Sequence, residues 1–393
     1  MTTRQLFFQH VAQTSPFPLS LEIVKAEGIY MEAADGKKYI DFISGIAVSN
    51  VGHCHPAVVK AIQQQAETYM HLMVYGEYIQ SPQVKLAKAL VDILPPTLNS
   101  VYFVNSGAEA TEGALKLAKR LTGRSEIVCF KNAYHGSTQG ALSVMGSEDF
   151  KNAFRPLLPD VRILDFNNED QLQQITRQTA CVIVEPIQGE AGIIPGTINF
   201  IEKLRKTCDE QGVVLIFDEI QSGFGRTGTM FAFEQYAVVP DILLLAKGMG
   251  GGMPIGAFIS SQQMMSALTN NPMLGHITTF GGHPVSCAAA QACLDVINKE
   301  GLHKKALTIE KTIREKLIHP KIKTIRGKGA MLAIELGDAD LNLKVITSCI
   351  AKGLITDWFL FCPTAMRIAP PLIITEEELN RSCEIILESL NLS

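Results

Sequence analysis

Short runs of unbroken apolar residues recur through the middle of the chain, separated by stretches whose apolar positions fall at helical spacing. Val101-Tyr102-Phe103-Val104 precedes a stretch in which Ala110, Ala114, Leu117, Ala118 and Leu121 line one face, which predicts a helix over 108–121. Ile127-Val128-Cys129-Phe130, Cys181-Val182-Ile183-Val184, residues 213–217 and residues 242–245 are further runs of the same kind. Continuous rather than alternating apolarity marks strands buried on both faces. Strands of this type alternating with helices predict an α/β fold, a mostly parallel central sheet flanked by helices. After residue 284 the pattern changes. A helix-like span to about residue 300 leads into lysine-rich amphipathic segments and then strand-like Met331-Leu332-Ala333-Ile334-Glu335, which predicts a smaller C-terminal α+β unit.

Composition narrows the functional classes. At 393 residues the chain is long enough for two structural units, and 47% hydrophobic with 19% charged residues is the balance of an ordinary globular protein. A net charge of −4 gives no electrostatic footing for nucleic acid or an anionic membrane. The apolar runs are far too short to span a bilayer, and Met1 to His10 lacks the apolar segment of a secretory leader. Nine cysteines without a CxxC pair fit free thiols in a reducing compartment, so a cytoplasmic location is expected. Gly52-His53-Cys54-His55-Pro56 has metal-ligand residue types. Adjacent ligands do not converge easily on one tetrahedral ion and no second cluster follows, so a structural turn and no metal are expected.

Candidate chemistry follows the strand ends, where open α/β sheets bind ligands. In Asp241-Ile242-Leu243-Leu244-Leu245-Ala246-Lys247-Gly248 a buried-strand pattern delivers one lysine into a glycine-rich turn. A lysine in an apolar pocket loses its proton readily and can form a Schiff base; the plain alternative is a surface lysine capping a strand. Asp218 closes the run at 213–217 and is either a turn former or the acid that keeps a pyridine nitrogen protonated. A lysine imine with such an acid is the signature of pyridoxal phosphate (PLP) chemistry. Gln221 is placed to donate to a ring oxygen, and Ile220 to cover one ring face. Asn105-Ser106-Gly107-Ala108 lies between strand and helix, as a cap or as an anion cradle of free N–H groups. Tyr134-His135-Gly136 offers an aromatic that either stacks on a flat ring or fills the core. Glu185 and Glu190 share one loop after a strand, as solvated acids or as groups that balance a cation. Thr278-Thr279 with Gly281-Gly282 either binds phosphate or turns the chain. Arg367 interrupts an apolar stretch, and its planar fork suits a substrate carboxylate or a structural ion pair. Gly223-Phe224-Gly225-Arg226-Thr227-Gly228 matches G-x-G-x-x-G but begins too far after its strand for a dinucleotide fingerprint, so a flexible active-site loop is expected.

Taken together, in this order and spacing, these segments resemble the class III aminotransferases, PLP enzymes of fold type I. The resemblance runs from Gly28-Ile29-Tyr30 to Arg367. Ser44-Gly45-Ile46-Ala47-Val48, Gly52-His53-Cys54-His55-Pro56 and residues 185–192 are most similar to the acetylornithine and ornithine branch. The resemblance implies a large domain over 46–285 and a small domain built from both chain ends, 1–45 and 286–393. It implies that Lys247 carries the cofactor's aldehyde and acts as acid–base catalyst, that Asp218 pairs with the ring nitrogen, and that Gln221 meets the ring hydroxyl. Tyr134 and Ile220 would flank the ring with His135 beside them, and Ser106, Gly107 and Ala108 would hold the phosphate. Thr279 would reach the phosphate of a neighbouring subunit, which implies an obligate homodimer. Glu190 and Arg367 would form a switch that admits an amine in one step and a carboxylate in the next, with 2-oxoglutarate as acceptor.

Two positions depart from that branch. Ser137 stands where an arginine usually grips the donor's distal carboxylate, and His283 stands where asparagine is frequent. The leading expectation is a transaminase moving a terminal amino group from an ornithine-like or other ω-amino compound to 2-oxoglutarate. Diamines, lysine or 4-aminobutyrate are alternative donors. A PLP aminomutase or decarboxylase, or a non-catalytic binding protein on the same fold, are the competing classes.

Overall fold

Seven strands form the central sheet: β1 (Ser100–Val104), β2 (Glu126–Phe130), β3 (Val161–Leu164), β4 (Thr179–Val184), β5 (Val214–Asp218), β6 (Ile242–Leu245) and β7 (Gly256–Ser260). The computed structural model describes every residue of the chain except Tyr75 and Ser393. In space the strands run β1-β7-β6-β5-β4-β2-β3. Only β7 is antiparallel to its neighbours, β1 and β6; the other pairings are parallel. Successive side chains of a strand point to opposite faces, and here both faces are covered. Leu243 and Leu245 pack with Phe217, Val182, Val184 and Phe200 on one side, while Ile242 and Leu244 pack with Ile216, Ile183 and Leu117 on the other. That two-sided burial is why these strands carry no polar alternation.

The predicted helix after β1 spans Gly107–Thr122, opened by Ser106, whose hydroxyl accepts from the Glu109 N–H, and closed by Gly123 in the left-handed conformation. Pro284–Glu300 is helical and Met331–Glu335 is a strand, as their patterns predict. β3 and β7 were not anticipated. β3 is an edge strand whose Arg162 and Ile163 face solvent, and β7 begins with glycine and ends with serine, so neither shows a clean apolar run.

The two chain ends meet. Ile23–Glu27, Tyr30–Ala33 and Lys38–Asp41 form an antiparallel meander, and its last strand pairs in parallel with Leu354–Ile355. Thr324–Lys328, Met331–Glu335, Cys362–Ile368 and Trp358–Phe359 form a separate four-stranded sheet. No described helix is long and apolar enough to cross a membrane.

The segment 223–228, expected as a flexible active-site loop, is instead a buried turn. Arg226 is fully buried, and its guanidinium donates to the carbonyls of Ala330 (3.2 Å) and Pro370 (2.5 Å) and to Asn50 Oδ1. Those acceptors lie outside the segment, so they fix it against the rest of the protein. The histidines of 52–56 have local work: His53 Nε2 lies 2.9 Å from Asp41 Oδ2, and His55 caps the helix Pro56–Thr68. His283 likewise caps the helix Pro284–Glu300, its Nδ1 accepting from the Val285 N–H.

Candidate active site

Strand ends of the central sheet converge on a cavity of about 440 Å³, a volume in the range of small-molecule sites. β1 delivers Ser106, Gly107 and Ala108; β2 delivers Tyr134, His135, Gly136 and Ser137; β4 delivers Glu185; β5 delivers Asp218, Ile220 and Gln221; β6 delivers Lys247. The lining also includes Val48, from the motif 44–48, and Gly252, Met253, Pro254 and Ile255, which sequence reasoning did not single out. Their only advance signal was the glycine cluster after Lys247.

The helix Gly107–Thr122 begins at the cavity. The N–H groups of Gly107 and Ala108 have no intrahelical acceptor there, so that end offers donors to an anion. A Cβ at 107 would come within 2.7 Å of Ile220 Cδ1, so a larger residue there would force the Ile220 side chain to shift.

Asp218, which also lines the cavity, is buried. Its Oδ2 lies 2.7 Å from His135 Nδ1 and its Oδ1 accepts from the Ile220 N–H at 3.0 Å. Each oxygen keeps a lone pair for a further donor. Glu185, also buried, accepts from the Tyr134 N–H (3.0 Å) and the Gly189 N–H (2.8 Å), and burial pushes its pKa up to about 7. Lys247 lines the same cavity, with a backbone φ of 44°. Its ammonium makes no hydrogen bond among the described residues. Burial lowers its pKa; the Glu190 carboxylate opposes that shift and the Arg367 cation adds to it.

Glu190 and Arg367 lie just beyond Gln221. Arg367 Nη2 donates to Glu190 Oε1 at 3.0 Å and Oε2 at 2.9 Å, and both side chains are almost wholly buried. Gln221 bridges weakly, with Nε2 at 3.4 Å from Glu190 and Oε1 at 3.5 Å from Arg367 Nη1. Arg367 also donates from Nε to Asp357 Oδ1 at 2.8 Å, a partner that no sequence motif indicated. Thr279 is not brought to this cavity: it is exposed, while its neighbour Thr278 accepts from Asn105 Nδ2 at 3.0 Å.

Comparison with known proteins places this geometry. Residues 11–390 match the family "Aminotransferase class-III". The chain belongs to the class III aminotransferases. It is 42% identical to the acetylornithine aminotransferase of Methanocaldococcus jannaschii, over 92% of this chain and 91% of that protein. Identity to the acetylornithine aminotransferase of Methanopyrus kandleri is 38% over the full length of both. Among solved structures, the ornithine aminotransferase of Toxoplasma gondii ME49 superposes with a TM-score of 0.90 at 30% identity, covering 100% of this chain and 96% of that one. As a member of this family the chain is a PLP-dependent transaminase of fold type I.

The side chains of this aminotransferase fit that cofactor on their own chemistry. A phosphate matches the open helix terminus, a protonated ring nitrogen matches the spare capacity of Asp218, and an aldehyde matches the unengaged Lys247 amine. His135 Nε2 is buried without a partner, a polar atom left over once its other nitrogen meets Asp218.

Proposed function

We propose that the enzyme moves the terminal amino group of an ornithine- or acetylornithine-like ω-amino compound to 2-oxoglutarate, giving an aldehyde and glutamate. The observation that carries this reading is the buried Glu190–Arg367 pair beside the Lys247 cavity. A transaminase must admit an amine and then a dicarboxylate into one site. With Glu190 on Arg367 the site presents no free cation to the amine; with Glu190 withdrawn, the guanidinium is free for a carboxylate.

The remaining roles are assigned on placement. Bound PLP supplies an electron sink that acidifies the donor's C–H bond. Lys247 would hold the cofactor's aldehyde and, once displaced, take the proton from the amine-bearing carbon at Nζ, a task suited to an amine whose pKa burial has lowered. Asp218, oriented by His135, would keep the ring nitrogen protonated. Tyr134 and Ile220 would flank the ring, Gln221 would donate to its hydroxyl oxygen, and Ser106, Gly107 and Ala108 would hold the phosphate.

Lysine and 4-aminobutyrate are alternative donors, and a diamine, which has no carboxylate to anchor, is the second reading that Ser137 favours. Its hydroxyl lies 3.2 Å from the Tyr134 hydroxyl and lines the cavity without a charge. A panel of ornithine, N-acetylornithine, lysine, 4-aminobutyrate and putrescine with 2-oxoglutarate held constant separates the two. Ping-pong kinetics that need the keto acid are expected. Carbon dioxide release, or turnover with no acceptor, would instead assign a decarboxylase or an aminomutase.

The same proposal includes a homodimer, in which Thr279 reaches the phosphate of the neighbouring subunit. Support comes from exposed apolar side chains on two adjoining segments: Met70 and Ile79 on one, Met273 and Phe280 on the other, joined by a His71–Phe280 ring contact of 4.8 Å. Analytical ultracentrifugation tests it, and a monomer at working concentration would refute it. The division into a large domain over 46–285 and a small domain from both ends rests on the pairing of Leu354–Ile355 with Ile40 and Asp41. Nine unpaired cysteines support a cytoplasmic location.

A further inference from the structure

Arg367 is held by two carboxylates on different edges. Glu190 takes Nη2 with both oxygens, whereas Asp357 takes Nε with Oδ1 at 2.8 Å. The Asp357 contact is reinforced along the backbone, because the Arg367 N–H donates to the Asp357 carbonyl at 2.8 Å and Thr356 Oγ1 donates to the Arg367 carbonyl at 2.6 Å. The next residues complete the seat: the Trp358 carbonyl lies 3.5 Å from Nη2, and the guanidinium carbon sits 4.3 Å over the Phe359 ring. Burial works against the Arg367 charge, while Asp357 and Glu190 sustain it by charge and by hydrogen bond and together raise its pKa.

We propose that Asp357 is a positioning residue that keeps the Arg367 guanidinium aimed at the cavity after Glu190 has left, so that an incoming acceptor carboxylate meets an already ordered Nη1/Nη2 edge. This rests on the transaminase reading with Glu190 as the movable partner. The charge of Asp357 is not what matters to the exchange. Glu190 and a substrate carboxylate are both anions on the same guanidinium and are repelled by Asp357 alike, so that contribution largely cancels. Orientation does not cancel. Without Asp357, the departure of Glu190 would leave a long side chain with no ionic anchor, and the acceptor would have to order it on binding. The amine donor arrives while Glu190 is still in place and does not face that cost.

The test uses the holoenzyme and three variants. Asp357→Ala removes the anchor, Asp357→Ser truncates it below reach of Nε as a second version, and Asp357→Asn keeps an oxygen for the Nε–H without the charge. Expected for Ala and Ser is a KM for 2-oxoglutarate raised roughly three- to tenfold, the cost of ordering one long side chain, with the donor KM and kcat unmoved. Asn should restore the wild-type acceptor KM. Equilibrium titration with glutarate, which cannot react, should show the same ranking. Unchanged acceptor KM in the truncations, equal losses for donor and acceptor, or an Asn variant as impaired as Ala would each overturn the proposal. A wild-type enzyme that does not use 2-oxoglutarate at all would instead overturn the functional reading on which it stands.

Discussion

At Lys247 two costs coincide. A φ of 44° puts a side-chain-bearing residue in the left-handed region, which costs on the order of 1–2 kcal/mol, and burial disfavours its ammonium. Backbone strain of this kind gathers at functional sites, where the surrounding structure over-determines it. Lys247→Ala should therefore change unfolding free energy by no more than about 1 kcal/mol, while abolishing turnover and the borohydride-sensitive absorbance of the bound cofactor. Retained steady-state turnover would remove the lysine from its role. One position after Asp218, Glu219 shows what the same environment does to a buried acid. It accepts from the Phe233 N–H (2.6 Å), the Ala232 N–H (2.7 Å) and the Ser222 hydroxyl (2.9 Å), yet burial outweighs those bonds and pushes its pKa up to about 7. The folded value lies above the unfolded one, so the group favours the fold fully below the ordinary glutamate range and loses that contribution as pH rises through 7. Between pH 5 and pH 8 the wild type should lose up to roughly 3 kcal/mol relative to Glu219→Gln, at about 1.4 kcal/mol per pKa unit. Urea unfolding at both pH values measures the difference; parallel pH dependences would contradict it.

Among the elements, the helix Gly107–Thr122 joins the anion cradle to the core. Its inward face carries Ala110, Ala114 and Leu117, and Gly113 lies against Phe258 of β7, where a Cβ would overlap the ring. Gly113→Ala sets a helix-propensity gain of about 1 kcal/mol against overpacking that costs roughly 1–3 kcal/mol. Because Phe258 is fully buried and stacked on Tyr102 at 4.8 Å, it cannot step aside, and overpacking should win. A lower thermal midpoint with cofactor affinity weakened in step is expected; a more stable variant would show that the ring yields. The same element explains what the sequence made legible. Strands covered on both faces announce themselves as apolar runs, and the residues after their ends line the cavity, so the placement of Asp218, Lys247, Tyr134 and the Ser106 loop was legible. β3 was not, because Arg162 interrupts it and both Arg162 and Ile163 are exposed, and neither was β7, bounded by Gly256 and Ser260. Asp357 carried no signal either: its importance depends on a pairing between Trp358–Phe359 and Cys362–Ile368 that only the fold creates.

For the molecule as a whole, the fully buried Arg226 is the point where distant parts of the chain are tied together. Its guanidinium holds Asn50 from the N-terminal third and the carbonyls of Ala330 and Pro370 from the C-terminal part. Asn50 in turn donates to the Phe224 carbonyl at 2.9 Å, and its backbone carbonyl accepts from the Leu372 N–H at 2.8 Å. Asn50 Nδ2 also occupies the space beside Gly248, where a Cβ would come within 2.6 Å of it. One cation thus braces both the turn that carries Lys247 and the segment that follows Arg367. Burial lowers the Arg226 pKa to about 9, with Asp41 opposing the shift from a distance, so the group remains charged at neutral pH. Replacing buried ion pairs by apolar residues can be neutral, because both charges leave together. Here the partners are carbonyls and an amide that stay behind, and each unsatisfied acceptor costs about 1–3 kcal/mol. Relief of the buried charge offsets only part of that sum. Arg226→Met is expected to lower the unfolding free energy by roughly 2–4 kcal/mol, and to raise the acceptor KM as the chain after Arg367 loosens. Urea titration and steady-state kinetics read the two effects separately. A variant of unchanged stability would mean that the three acceptors find other donors and that Arg226 is not the brace its contacts describe.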